Sequence, residues 1–113
     1  MEDRLRRMRA LAESEPDDPL TRFLLGRAAA EMGLFEESCS AFQAACELDP
    51  RYAAAYRHWG EALEKLGRSA DAADVFARGA RIAEETGDLQ AGKEMRAFLR
   101  RLERDRGVKP RGE

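Results

Sequence analysis

Leu25-Gly26, Gly33 and Phe42 recur as Trp59-Gly60, Gly67 and Phe76, each at an offset of 34 residues. A fixed period of this length marks a helix–turn–helix unit that cannot bury its apolar face alone and stacks on copies of itself. Gly26 and Gly60 fall inside helices, where glycine costs about 1 kcal/mol against alanine. That cost is tolerable where a neighbouring helix passes too close for a Cβ. Ala41, Ala44, Ala45, Ala73, Ala77, Gly79 and Ala80 permit the same close approach, and Phe42 and Phe76 fill the gaps between helices.

Working outward from the repeat, six helical segments are legible. The first runs from Glu2 to Ser14 with Leu5, Met8, Leu11 and Ala12 on one face; Glu15-Pro16-Asp17-Asp18-Pro19 ends it and offers an aspartate cap to the next. The second runs from Pro19 to Met32 and stops at Gly33, and the third from Phe35 to Leu48 ahead of Asp49-Pro50. The fourth spans Tyr52 to Leu66, ahead of Gly67. The fifth follows Ser69 as N-cap and reaches Thr86, with Gly87 as its stop; the sixth begins near Asp88 and fades at Arg106-Gly107. The expected organisation is one domain over 1–107: a half-repeat helix at 2–14, repeat one at 19–50, repeat two at 53–86 and a capping helix at 88–106. Residues 108–113, with Pro110 and Gly112, read as a disordered tail.

Composition agrees with an all-α chain. Hydrophobic residues make up 43% and charged residues 37% of the 113, and Val75, Val108 and Ile82 are the only Val and Ile. A formal net charge of −2 gives no global field toward nucleic acid or membrane. Residues 88–113 carry eight Lys/Arg against five Asp/Glu, a basic end on an acidic body. The N-terminus lacks the apolar segment of a secretory signal, and no apolar run approaches the ~18 residues of a membrane span, so the expected location is the cytoplasm. Cys39 and Cys46 share one helix about 10 Å apart, beyond the ~7 Å limit for a disulfide. With no further Cys or His nearby they read as reduced packing residues rather than metal ligands.

The pattern resembles the tetratricopeptide repeat (TPR) family, whose signature is W-x2-L-G-x2-Y, then A-x3-F, then P. Repeat two reads Tyr56-x2-Trp59-Gly60-x2-Leu63, then Ala72-x3-Phe76; repeat one reads Arg22-x2-Leu25-Gly26-x2-Ala29, then Ser38-x3-Phe42, then Pro50. Arg22 in the aromatic slot, Ser38 for Ala and Glu84 for the terminal Pro are departures. The joint match at one period covers about residues 19–86. Met8, Leu11, Glu13 and Pro16 match Phe42, Ala45, Glu47 and Pro50 one period on, so the first helix looks like the second half of an unfinished preceding repeat. The resemblance implies an all-α, right-handed superhelix of stacked antiparallel helix hairpins.

No catalytic constellation is present in the sequence. His58 is the one histidine, and pairing with Glu61 on an exposed helix face explains it better than general-base chemistry. The glycines are spaced by the repeat, not as a phosphate loop. The chain therefore reads as a non-enzyme with no cofactor and no metal. The function to expect is a protein or peptide segment held in the concave groove.

The resemblance places groove-facing positions at Phe23, Arg27, Ala30 and Glu31 in repeat one, and at Arg57, Glu61, Glu64 and Lys65 in repeat two. In it Phe23 is an apolar anchor, and Arg27 and Arg57 hold a carboxylate or backbone carbonyls. The alternative is ordinary solvated residues, with Arg27–Glu31 and Arg57–Glu61 as i,i+4 pairs. One TPR subclass grips chaperone C-termini with a Lys/Asn/Arg clamp. Phe23, Arg27 and His58 stand where that subclass has Lys and Asn, so the clamp is not reproduced.

The last helix breaks the period. Continued at 34, its buried slots would fall on Gln90, Lys93, Glu94 and Ala97, whereas its apolar stripe is Ala91, Met95, Phe98, Leu99 and Leu102. A register slip of five residues restores the fit, and Glu84 in place of Pro permits helix five to run on and absorb it. The stripe Met95, Phe98, Leu99 and Leu102 is expected to cap the stack in a monomer. The alternative is self-association as a homodimer through the same stripe. A further alternative is a nucleic-acid contact through Arg96, Arg100, Arg101, Arg104, Arg106, Lys109 and Arg111. No aromatic residues interleave with the last of these, which argues against it.

Overall fold

The computed structural model describes residues 2–107, as six helices: α1 Glu2–Ser14, α2 Pro19–Glu31, α3 Phe35–Leu48, α4 Ala53–Lys65, α5 Ser69–Thr86 and α6 Leu89–Asp105. The tail expected at 108–113 lies outside the described residues.

The helix ends follow from local chemistry. Asp18 caps α2 by accepting from the Leu20 N–H at 2.9 Å, and Pro19 occupies the first turn, where its missing N–H costs nothing. At the other end Gly33 adopts φ +75°, and the Leu34 N–H reaches back to the Ala29 carbonyl at 2.9 Å. One period later Gly67 has the same φ, and the Arg68 N–H bonds the Leu63 carbonyl at 2.9 Å. This second turn corrects one expectation. With Arg68 tied to Leu63, the chain re-enters helix at once, so Arg68 is the N-cap and Ser69 is already helical, making no side-chain cap. Helix α4 is likewise one residue shorter at each end than expected.

Each helix packs on the next along the chain, and α4 also approaches α2 and α6, whereas the backbones of α1, α3 and α5 stay apart and α1 meets α3 only through side chains. The stack therefore has a tight row, α2–α4–α6, and a splayed row, α1–α3–α5. Curvature puts the tight row on the concave side. The molecule measures 45 × 28 × 19 Å.

The period has a packing cause. A Cβ on Gly26 would lie 2.6 Å from the Phe42 ring, and one on Gly60 would meet the Phe76 ring closer still. The sequence alone suggests a neighbouring backbone in that space; the occupant is the phenylalanine ring of the partner helix. Phe42 and Phe76 are buried to 1% and 0% exposure, so neither ring has room to yield. Gly79 repeats the device between α5 and α6, where a Cβ would meet the Met95 sulfur and the Tyr56 Cβ, both at 2.6 Å.

The register slip also has a structural counterpart. Ala53, Tyr56, Gly60 and Leu63 are buried in α4, and Gly92, Met95, Leu99 and Leu102 in α6, a displacement of 39 residues rather than 34. Helix α5 has 18 residues where α3 has 14, and that extra turn accommodates the shift.

Candidate functional site

On the concave row, the residues expected to face the groove divide into three groups. Phe23 is not a free anchor. It is 9% exposed and packs against Phe42, Tyr52 and His58 with ring centroids at 5.7, 5.1 and 5.3 Å. That slot turns inward and joins the core, and Ala30, two turns further along the same helix, is half-buried. A second group is consumed by ion pairs within the chain. Arg57 donates to Glu61 at 3.1 Å and pairs with Glu94 of α6 at 3.3 Å. Glu64 accepts from Arg101 of α6 at 2.9 Å, and Glu31 from Arg4 of α1 at 2.7 Å. The i,i+4 pair Arg57–Glu61 thus forms, while Arg27–Glu31 does not, because Arg4 takes the Glu31 carboxylate. The third group, Arg27 and Lys65, is exposed and makes no ion pair among the described residues.

His58 corrects the expectation of an exposed His–Glu pair. Its ring stacks on Phe42 at 5.6 Å and is half-buried. Burial pushes its pKa below 6.5; Glu61 opposes that shift, while Arg57 and Arg27 add to it. Arg27, Arg57 and Glu61 are thus the charges that act on this imidazole. Sequence reasoning missed the ring stack because Phe23, Phe42 and His58 come from three helices.

The α6 stripe is turned into the stack. Met95, Leu99 and Leu102 are 0%, 3% and 5% exposed. Phe98 is half-buried on Phe76 at 5.3 Å, with the Arg101 guanidinium 5.8 Å from its ring. Cys39 and Cys46 are free, buried thiols, and burial pushes Cys46 up to about 12, which keeps it protonated and unreactive. Among the described residues no cluster of His, Cys, Asp and Glu suits a metal, and no helix is long and apolar enough to cross a membrane.

The splayed row carries a concavity that sequence reading did not flag. Between α3 and α5 lies a cavity of about 360 Å³, joined through Gln43, Trp59 and Arg78 to another of about 350 Å³. Trp59 forms its floor, and the Arg78 guanidinium lies 5.6 Å from the Trp59 ring and 5.5 Å from that of Tyr56. The available signal was Trp59 itself: it fills the slot that Leu25 fills and buries in repeat one.

The tetratricopeptide repeat profile matches residues 5–52 and 23–86. The chain belongs to the tetratricopeptide repeat family. A TPR repeat-containing protein of Pseudomonas aeruginosa is 38% identical over 90 residues, covering 80% of this chain and 86% of that one. The solution structure of a Bordetella parapertussis protein superposes with a TM-score of 0.75 at 35% identity, covering 89% and 88% of the two chains. The Yersinia enterocolitica type III secretion translocator chaperone SycD superposes with a TM-score of 0.87 over 95% of this chain and 74% of that one. Its 16% identity bears on the fold alone. The architecture is thus a TPR right-handed superhelix, a fold that generally mediates protein–protein interaction without catalysis.

His58 gives this TPR stack a pH signature. Below its ordinary pKa of 6.5 the unfolded chain takes up a proton that the folded ring stack resists. Between the lowered folded value and 6.5 the unfolded state binds more protons, so this contribution is complete above 6.5 and is lost as pH falls through that window. The fall in melting temperature from about pH 7 to pH 5 is expected to be shallower for His58→Leu than for wild type. Parallel profiles for the two proteins would refute this.

Proposed function

We propose that the chain is a non-catalytic adaptor that holds a protein or peptide segment along its concave row. The observation that carries this reading is Arg27: an exposed guanidinium whose charge is felt by His58, with no ion-pair partner among the described residues. Lys65 adds a second exposed cation on the same row. Arg57, by contrast, is already shared between Glu61 and Glu94, so a ligand gains less from it than the family resemblance implies. The segment that suits this surface is extended and carries a carboxylate for Arg27, a residue fitted to bidentate pairing.

Burial of Met95, Leu99 and Leu102 favours α6 as a cap and the chain as a monomer. The Arg96–Glu84 and Arg101–Glu64 pairs disfavour nucleic acid by neutralising two of the arginines that would contact it. Lys109 and Arg111 lie outside the described residues. Reduced, buried Cys39 and Cys46 fit a cytoplasmic module.

Affinity capture from source cells with wild type and Arg27→Glu as baits, quantified in parallel, tests the reading. At least one interactor is expected to fall about tenfold with the charge reversal, equivalent to about 1.4 kcal/mol, at unchanged helicity and melting temperature. An interactor set indifferent to that reversal would overturn it.

A further inference from the structure

The splayed row contains one closed seam and one open seam. Between α1 and α3 the Arg9 guanidinium donates two hydrogen bonds to the Glu37 carboxylate, at 2.8 and 2.7 Å. That bond holds the Glu37 carboxyl below the usual carboxylate range. One period of 34 residues on, Arg9 corresponds to Gln43 and Glu37 to Asp71. The acceptor is retained and the donor lost. Neither Gln43 nor Asp71 makes a side-chain hydrogen bond or ion pair among the described residues, and both line the 360 Å³ cavity over Trp59.

We propose that the α3–α5 seam is a docking groove for a protein segment bearing an arginine. Its guanidinium takes on Asp71 the place that Arg9 takes on Glu37, and an apolar neighbour rests on Trp59. Three features fix this occupant. A carboxylate accepts two parallel N–H bonds, the geometry a guanidinium supplies. The exposed rim carries Glu36, Glu47, Asp71 and Asp74 against Arg68 and Arg78; Arg68 is held by Glu36 at 2.9 Å and Arg78 lies over Trp59 and Tyr56, so the balance of charge favours a cation over nucleic acid or an acidic segment. Trp59 is only partly buried where repeat one has a buried Leu25, giving the groove an aromatic floor that repeat one lacks. An acid in the first turn of α5 also favours the helix dipole, which explains Asp71 but not the missing arginine or the open cavity beside it. This surface is separate from the concave row, so it stands whether or not Arg27 binds a partner.

Trp59 is the only tryptophan, so its fluorescence reports occupancy directly. The probe is an acetylated and amidated hexapeptide, Leu-Arg-Ala-Ala-Leu-Arg, with a glutamate-for-arginine version as control. Titration with the arginine peptide is expected to shift the Trp59 emission saturably, and the control is expected to leave it unchanged. Asp71→Asn is expected to weaken the response about tenfold. Gln43→Arg supplies the missing donor from within the chain and is expected to abolish the response while the melting temperature holds or rises. Arg27→Glu is expected to have no effect on it. Absence of a saturable response at millimolar peptide overturns the proposal. So does an undiminished response in Gln43→Arg, or sensitivity to Arg27→Glu without sensitivity to Asp71→Asn.

Discussion

Phe76→Ala is expected to remove about 3–5 kcal/mol of stability, the range for truncating a buried phenylalanine. The ring has no exposed surface and rests on Gly60 from one side and Phe98 from another. Neighbouring side chains ordinarily relax into such a cavity, but the floor here is a glycine with nothing to move. The loss should therefore fall toward the upper end, a large share of the 5–15 kcal/mol typical of a domain. Urea denaturation provides the check, through a lowered midpoint at constant slope. The reciprocal substitution Gly60→Ala tests the same contact from the other side. It gains about 1 kcal/mol of helix propensity and is still expected to destabilise by about 1–3 kcal/mol through overpacking. Combining it with Phe76→Leu should recover part of that loss, because the shorter side chain vacates the space above residue 60. A cost below about 1 kcal/mol for Phe76→Ala would show that this ring does not join the two helices as described.

Met95→Ala is the second large effect, expected at about 2–5 kcal/mol. Met95 is fully buried, and its sulfur fills the notch left by Gly79 on α5. The consequence should be local as well as global. Among the described residues α6 packs only on α5 and α4, so losing its central side chain favours undocking of that helix alone. Undocking would also break the Arg57–Glu94 and Arg101–Glu64 pairs, releasing Arg57 and Glu64 onto the concave row. Those pairs are partly exposed and contribute little by themselves, each about 0–1 kcal/mol, so the apolar notch governs docking. Amide hydrogen exchange is expected to show protection lost across residues 89–105 while α2 and α3 keep theirs. Uniform loss across all six helices would mean that the stack melts as one unit.

Much of the fold was legible because one physical device is used twice. Gly26 with Phe42 and Gly60 with Phe76 state the period, and Gly33 and Gly67 set the turns. Ser69 has the residue type of a cap but not the position, because the cap is set by the Arg68–Leu63 backbone bond, which belongs to the preceding turn. The candidate site was harder to read. A slot on one face of a helix says where a residue points, not what meets it there. Phe23 points at a core that Tyr52 and His58 of the next unit complete, and Glu31 and Glu64 are met by arginines 27 and 37 residues away.

The sequence by itself determined the TPR architecture, its helices and the need for small residues where helices cross, since these follow from short-range periodicity and side-chain volume; that the Phe42 and Phe76 rings sit on Gly26 and Gly60 came from the tertiary structure. The tertiary structure decided which charges remain available to a partner. Salt bridges join side chains from different helices, and whether Arg27 stays open, Arg57 is engaged or Asp71 waits beside Gln43 depends on how the hairpins stack.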